Sequence, residues 1–191
     1  MKVIAICGSP KTKGNTALSL EVLGEKLKFH IENLEYEIIY LKKLDLRPCN
    51  ACNGCYGKGK CVQDDDINEL LNKLITADGI ILGSPTYFSN VTSRMQIFIE
   101  RIGLISKLNG SLLKGKIGAS VAIARRMGAN VVYSAMNYFF GILEMPIASS
   151  VYWNVLIGLN PGDIKNDAEG MLILDVLGKN MAELLVKLHG T

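Results

Sequence analysis

Five short apolar runs, each followed by a stretch with helical periodicity, constrain this chain more than any other feature. The runs are Lys2–Cys7 (KVIAIC), an alternating segment through Leu34, Tyr36, Ile38 and Tyr40, GIILGS at 79–84, KIGASVAIA at 116–124, and residues 147–153. Between and after them lie stripes at helical spacing: Leu20, Leu23 and Leu27; Ile67, Leu70, Leu71 and Leu74; Met95, Phe98, Ile102 and Ile105; a helix over 135–143; and a last helix from about Ala168 with Leu174, Leu177, Met181, Leu184 and Leu188. Strands that alternate with helices predict an α/β chain: one doubly wound parallel sheet, three layers, right-handed crossovers. The expected strand order is 2-1-3-4-5, which brings the loops after strands one, three and four to one switch point. Nothing resembling a linker or repeat interrupts the 191 residues, so a single domain over 1–191 is expected.

The first of those loops is GSPKTKGNT at 8–16. Backbone N–H groups at a helix start, the hydroxyls of Ser9 and Thr16 and the cations of Lys11 and Lys13 suit a phosphate. An ordinary turn closed by an Asn15 or Thr16 cap explains the same residues. Five residues separate Gly8 from Gly14, and Asn15 stands where a Walker loop needs lysine; the G-x-G-x-x-G fingerprint is absent too. The loop after strand three, Pro85-Thr86-Tyr87-Phe88-Ser89-Asn90, offers apolar and aromatic surface for a flat ring, with Ser89 and Asn90 for its polar edge. After strand four, Arg125-Arg126-Met127-Gly128-Ala129-Asn130 places two cations at the same edge, free to meet a phosphate, a reduced cofactor or only solvent.

Four of the five cysteines fall in thirteen residues with the spacing C-x2-C-x2-C-x5-C: Cys49, Cys52, Cys55 and Cys61. Two-residue gaps turn successive thiolates inward on one tight loop, so three can hold corners of an iron-sulfur cubane while Cys61 closes the fourth. Gly54, Gly57 and Gly59 let the backbone wrap. Structural zinc usually draws on two separated cysteine pairs. Buried structural cysteines would be dispersed rather than gathered in a polar loop. The loop, at about 45–63, follows strand two and is expected to emerge at the sheet edge where the first loop lies.

Other features have plainer roles. Asp66 with Glu69 reads as a capping box before the Ile67 helix, and Asp64 and Asp65 favour the same terminus. Cys7 reads as a small buried hydrophobe, and His30 and His189 as solvated groups. The helix carrying Met136, Tyr138, Phe139 and Phe140 has more apolar girth than one buried face needs and is expected to contact another subunit. A net charge of +3 without a basic run argues against nucleic acid, and no apolar stretch is long enough to span a bilayer. Reduced thiols and the strand-like start MKVIAICGSP predict a cytoplasmic protein.

Three stretches together, GSPKTKGNT, CNACNGCYGKGKC followed by VQDDD, and ADGIILGSPTYFSN at 77–90, resemble the iron-sulfur flavoproteins of anaerobic archaea and bacteria. That family is a branch of the NADPH-dependent FMN reductase group with a flavodoxin-like fold. NPGDIKNDAEGM at 160–171 is a weaker echo, and the likeness runs over nearly the whole chain. The resemblance implies FMN and a [4Fe-4S] cluster. Ser9, Lys11, Asn15 and Thr16 would surround the FMN phosphate, while Pro85, Thr86, Tyr87 and Phe88 would line the isoalloxazine beside Asn90. Arg126 and Gly128 would add ring contacts, and Cys49, Cys52, Cys55 and Cys61 would hold the cluster. It also implies a homodimer or homotetramer in which a cluster serves a flavin across an interface. Two positions depart from the family: Lys11 replaces an arginine, and Gly128-Ala129 replaces a Gly-Gly step.

These readings converge on a redox protein exchanging electrons between a one-electron donor such as ferredoxin and an acceptor. An FMN-dependent NAD(P)H or quinone reductase whose cysteine loop holds zinc or no metal is the first alternative. A metal-stabilised binding module without catalysis is the second.

Overall fold

In the computed structural model, which describes residues 1–190, the elements are β1 (Lys2–Cys7), α1 (Asn15–His30), β2 (Glu35–Tyr40), α2 (Ile67–Ile75), β3 (Gly79–Pro85), α3 (Ser93–Leu108), β4 (Ile117–Ala124), α4 (Ala129–Ile142), β5 (Val155–Ile157) and α5 (Ala168–His189). The five strands form one parallel sheet in the order β2-β1-β3-β4-β5. No helix is long and apolar enough to cross a membrane among the described residues.

The two-residue period of each strand divides the interior into two cores. Ile4, Ile6, Ile80, Leu82 and Ala122 point to the face covered by α2, α3 and α4. Val3, Ala5, Cys7, Ile81, Ala119, Val121 and Ile123 point to the face covered by α1 and α5. Strands buried on both faces are near-continuous apolar runs, which is why the sequence exposed them. Gly118 on β4 shows how tightly the layers meet: a Cβ there would lie 2.6 Å from the Phe140 ring of α4. A substitution would push that helix off the sheet.

The structure revises four local expectations. The fifth strand is not residues 147–153 but Val155–Ile157, with Ile147 making only an isolated bridge to Gly118. The intervening segment leaves the sheet because Asn154 turns inward, its C=O accepting from the Ala122 N–H and its side-chain oxygen accepting from Ser150 Oγ. Helix α4 begins at Ala129 rather than near 135, directly after Gly128 at φ 86°. The α1 N-cap is Gly14, with no side-chain cap, because both ends of the Asn15 amide are engaged elsewhere: Nδ2 donates to Asn160 O and Oδ1 accepts from Gly162 N–H. The Asp66–Glu69 capping box does not form either. Asp66 sits in helical backbone geometry, and its carboxylate accepts instead from the Asp45 N–H at 2.7 Å.

Cys7 is fully buried, as its place on β1 requires. Burial pushes its thiol from the ordinary 9.0 up to about 11. The folded state therefore holds the proton more tightly than the unfolded chain, so stability is intact below about pH 9 and falls as the pH rises toward 11. Wild type should lose about 2–3 kcal/mol more than Cys7→Ala across that window, read from denaturant midpoints at each pH.

Candidate functional site

The carboxyl edge of the sheet carries a cleft of ≈ 210 Å³ where the loops after β1, β3, β4 and β5 meet. Ser9, Lys11, Asn15 and Thr16 form one side, Pro85, Thr86 and Tyr87 another, and Ile123, Ala124, Arg125, Gly158 and Leu159 complete it. Each is held by its own element. Ser9 Oγ accepts from Lys11 N–H at 3.1 Å, folding the first loop back on itself. Because Gly14 supplies no side-chain cap, the first-turn amides of α1 are left for a ligand. Asn15 ties α1 to the 158–162 loop, whose shape is set by two aspartates. Asp163 accepts from the N–H groups of Leu159 and Asn160, and Asp167 from Ile157 and Gly170. These contacts explain the NPGDIKND motif.

Tyr87 and Asn90 exchange two backbone hydrogen bonds of 2.9 Å across Phe88 and Ser89, whose φ angles are 50° and 55°. Positive φ at both central residues makes this a tight I′-type turn, a conformation that strains any residue with a Cβ. It leaves Phe88 wholly exposed. Gly128 sits against Ser89, so the turn after β3 and the loop after β4 touch. Phe88, Asn90, Arg126 and Gly128 thus stand around the cleft without lining it, and Arg125 takes the wall position. Thr86 Oγ1 is buried in this cleft with no partner among the described residues. A buried hydroxyl without a bond is costly, and a bound polar ring edge or phosphate oxygen would satisfy it.

The cysteine loop leaves the carboxyl edge and then runs down the outside of α3. Arg94 Nη1 donates to Leu41 and Leu44 carbonyls, Arg101 Nη1 to Arg47 O, and Asn109 Nδ2 to Cys55 O. Since Thr92, the α3 N-cap, donates to Gly8 O, the start of α3 marks the cleft's edge. A rise of 1.5 Å per residue puts Arg101 and Asn109 about 14 and 25 Å further along the helix. The cysteines accordingly sit beside the second half of α3, well away from the cleft in the same chain.

Within the loop, Ala51, Asn53, Gly57 and Gly59 all have φ between 54° and 68°. These left-handed residues reverse the chain between cysteines, and Ala51 and Asn53 hold the conformation without a glycine's freedom. Cys55 is buried, Cys49 and Cys61 half-buried, Cys52 exposed. Burial pushes the Cys55 thiol up, and charge on Cys61, Cys49 and Cys52 pushes it further, so the four sulfurs share one neighbourhood. No three His, Cys, Asp or Glu side chains close on a single ion among the described residues.

Two residues of this region, Arg101 and Asp65, acquire a shared role in the structure. Arg101 is 2% exposed. It pairs with Asp65, and the two side chains are 1% and 0% exposed. Its Nη2 donates to Cys61 Sγ at 2.9 Å, and its Nε is buried without a partner among the described residues. Burial pulls the Asp65 carboxyl upward, but bonds from Arg101 and from the Arg47 and Ile67 N–H groups outweigh it and hold the carboxyl below its usual range. A signal for Arg101 exists in the sequence: it lies three residues after Phe98 and four before Ile105, a cation on an apolar stripe.

With this geometry in view, comparison with known proteins is decisive. Residues 1–158 match the NADPH-dependent FMN reductase family. An iron-sulfur flavoprotein of Methanocaldococcus jannaschii is 37% identical in an alignment that covers 97% of this chain and 97% of that protein. The chain belongs to the iron-sulfur flavoprotein family. A second family member, from Archaeoglobus fulgidus, is 35% identical over 98% of this chain and 92% of its own. A solved WrbA-like flavodoxin from Agrobacterium tumefaciens shares the fold at a TM-score of 0.67, covering 98% of both chains at 12% identity. Membership makes this iron-sulfur flavoprotein an FMN-dependent oxidoreductase with a flavodoxin-like fold, as the three sequence motifs implied.

Proposed function

We propose that this protein carries FMN in the cleft and a [4Fe-4S] cluster on Cys49, Cys52, Cys55 and Cys61, and passes electrons between a one-electron donor such as ferredoxin and an acceptor. When bound, FMN supplies both one- and two-electron chemistry and the cluster supplies one-electron chemistry. The observation that carries this reading is the pairing, on one chain of this family, of four neighbouring thiols beside a buried cation with a cleft that holds an unsatisfied hydroxyl. A cubane spreads its four thiolates wider than a single ion does, in keeping with sulfurs that are neighbours without converging on one point.

In the cleft, the α1 amides, Ser9, Thr16 and the cation of Lys11 hold the phosphate, with Arg125 across from them. Pro85, Thr86 and Tyr87 would form the wall for the ring, and Thr86 Oγ1 would be free to bond a polar atom of the flavin. Phe88, Asn90, Arg126 and Gly128 stand at the rim, within reach of the exposed edge of a bound ring. Asn15 keeps the 158–162 loop against this site. Asn15→Ala removes two hydrogen bonds, each worth about 1 kcal/mol, so FMN should bind roughly 5- to 30-fold more weakly to the reconstituted apoprotein while the fold persists. An unchanged FMN titration would place the flavin elsewhere.

Because the cysteines lie far along α3 from their own cleft, the proposed route joins the cluster of one subunit to the flavin of another in a homodimer or homotetramer. The apolar groove of ≈ 440 Å³ between α3 and α4, with Tyr138 and Ile142 exposed on its lip, supports such a contact. Thiols that bind iron need a reducing compartment, which supports a cytoplasmic location. The family's NADPH-dependent character supports a second reading, a nicotinamide or quinone reductase whose cysteine loop holds zinc or no metal; zinc and sulfide counts separate the two.

A further inference from the structure

We infer that Arg101, locked in place by Asp65, is the positioning residue of the cysteine site: it fixes Cys61 Sγ and raises the reduction potential of the cluster through a charge-assisted N–H···S hydrogen bond. The inference rests on the cluster reading above and goes beyond it, since neither the cysteine spacing nor the family's chemistry names a cation.

Three observations carry it. A guanidinium is almost never buried unless it is paired and hydrogen-bonded, yet Arg101 is 2% exposed in the middle of α3. Its partners are divided by function. Nη1 serves Asp65 and the Arg47 carbonyl, which anchor both ends of the cysteine loop to α3, and Nη2 is left for Cys61 Sγ at 2.9 Å. Its Nε, buried and unpartnered among the described residues, leaves one donor on the same face of the fork. A purely structural ion pair needs no donor on a thiol. Cys61 is further fixed through its backbone, with N–H donating to Asn68 Oδ1 at 2.8 Å and O accepting from Asn68 Nδ2 at 3.0 Å, so the sulfur is held from both sides.

The consequence follows from charge. Reduction adds one electron, with no proton, to a group whose negative charge is shared with its sulfur ligands. A donor on one of those sulfurs stabilises the reduced state more than the oxidised one. Losing the donor therefore lowers the potential.

The test uses the anaerobically purified holoprotein and the double variant Arg101→Leu/Asp65→Asn. This variant removes one positive and one negative charge together, leaving the local net charge unchanged and a side-chain oxygen for one of the Arg47 and Ile67 N–H groups, which bond different oxygens of Asp65. Potentiometric titration of the cluster, followed by EPR, should show the oxidised-to-reduced ratio at the wild-type midpoint raised at least tenfold, a fall of at least 59 mV for one electron. A folded variant that keeps FMN but can no longer retain iron and sulfide also supports the role, because the positioning of Cys61 has failed. A loaded variant with an unchanged midpoint overturns it.

A measurement on wild type alone covers the case in which the variant does not fold. Pulsed EPR of the reduced protein grown with 15N-labelled arginine should show a 15N coupling to the cluster, and its absence overturns the inference. Wild type without iron or sulfide sinks the cluster reading itself and this inference with it, whereas loaded wild type with neither coupling nor shift sinks only the role of Arg101.

Discussion

Cys55→Ala empties the cysteine site of iron and acid-labile sulfide, to less than a tenth of wild type, while FMN content is unchanged. Cys55 is the buried member of the four, and the other three thiols lie close enough to raise its proton affinity. Its loss removes the ligand most shielded from solvent, and three thiolates of which one is exposed do not close a cluster. The loop itself persists in the variant, because Asn109 holds it through the Cys55 carbonyl and the Gly59 N–H, neither of which needs the thiol. None of the residues lining the cleft belongs to this loop, so the flavin is spared. Metal, sulfide and flavin assays on the anaerobically purified variant check the result; parallel loss of FMN from a folded variant would show that the two sites are one.

Asp65→Ala carries the largest expected loss of stability. It strands the Arg101 guanidinium, whose side chain is 1% exposed, without a counter-charge in the core of the loop–α3 contact. Breaking one half of a buried pair costs about 3–5 kcal/mol, because a desolvated charge remains. The Arg47 and Ile67 N–H groups lose an acceptor as well. Asp64→Ala, at an exposed neighbour, should stay within about 0.5 kcal/mol of wild type. Equal small effects of both substitutions in urea unfolding would mean that Arg101 finds solvent.

The sheet was legible because its strands are buried on both faces and read as apolar runs, and the observed order 2-1-3-4-5 is one of the few doubly wound orders that right-handed crossovers allow. The loops were legible only where residue type reports function directly: Ser9, Lys11, Thr16 and the 85–87 stretch do line one cleft. What escaped the sequence depends on partners distant along the chain. Asn15 looks like a helix cap, yet its amide answers residues 145 and 147 positions away. The acidic run 64–66 looks like a helix start, yet Asp65 answers a cation 36 residues on. Arg125 and Arg126 are adjacent and alike, so only the backbone direction after β4 could decide which of them walls the cleft. The fifth strand was misplaced because Tyr152 and Trp153 have strong strand propensity but lie exposed outside the sheet, their rings tilted against each other with centroids 4.8 Å apart. The cysteine loop does leave the sheet at the expected edge. Its descent along α3 is set by Arg94, Arg101 and Asn109, whose spacing along one helix face has no signature of its own.

One chain is proposed to carry a flavin cleft and a sulfur-ligated cluster as separate sites. Counting FMN, iron, acid-labile sulfide and zinc on anaerobically purified protein tests it most directly. The account predicts about one FMN, four iron and four sulfide per chain, with only traces of zinc. Stoichiometric zinc without sulfide, beside a full complement of FMN, would contradict it.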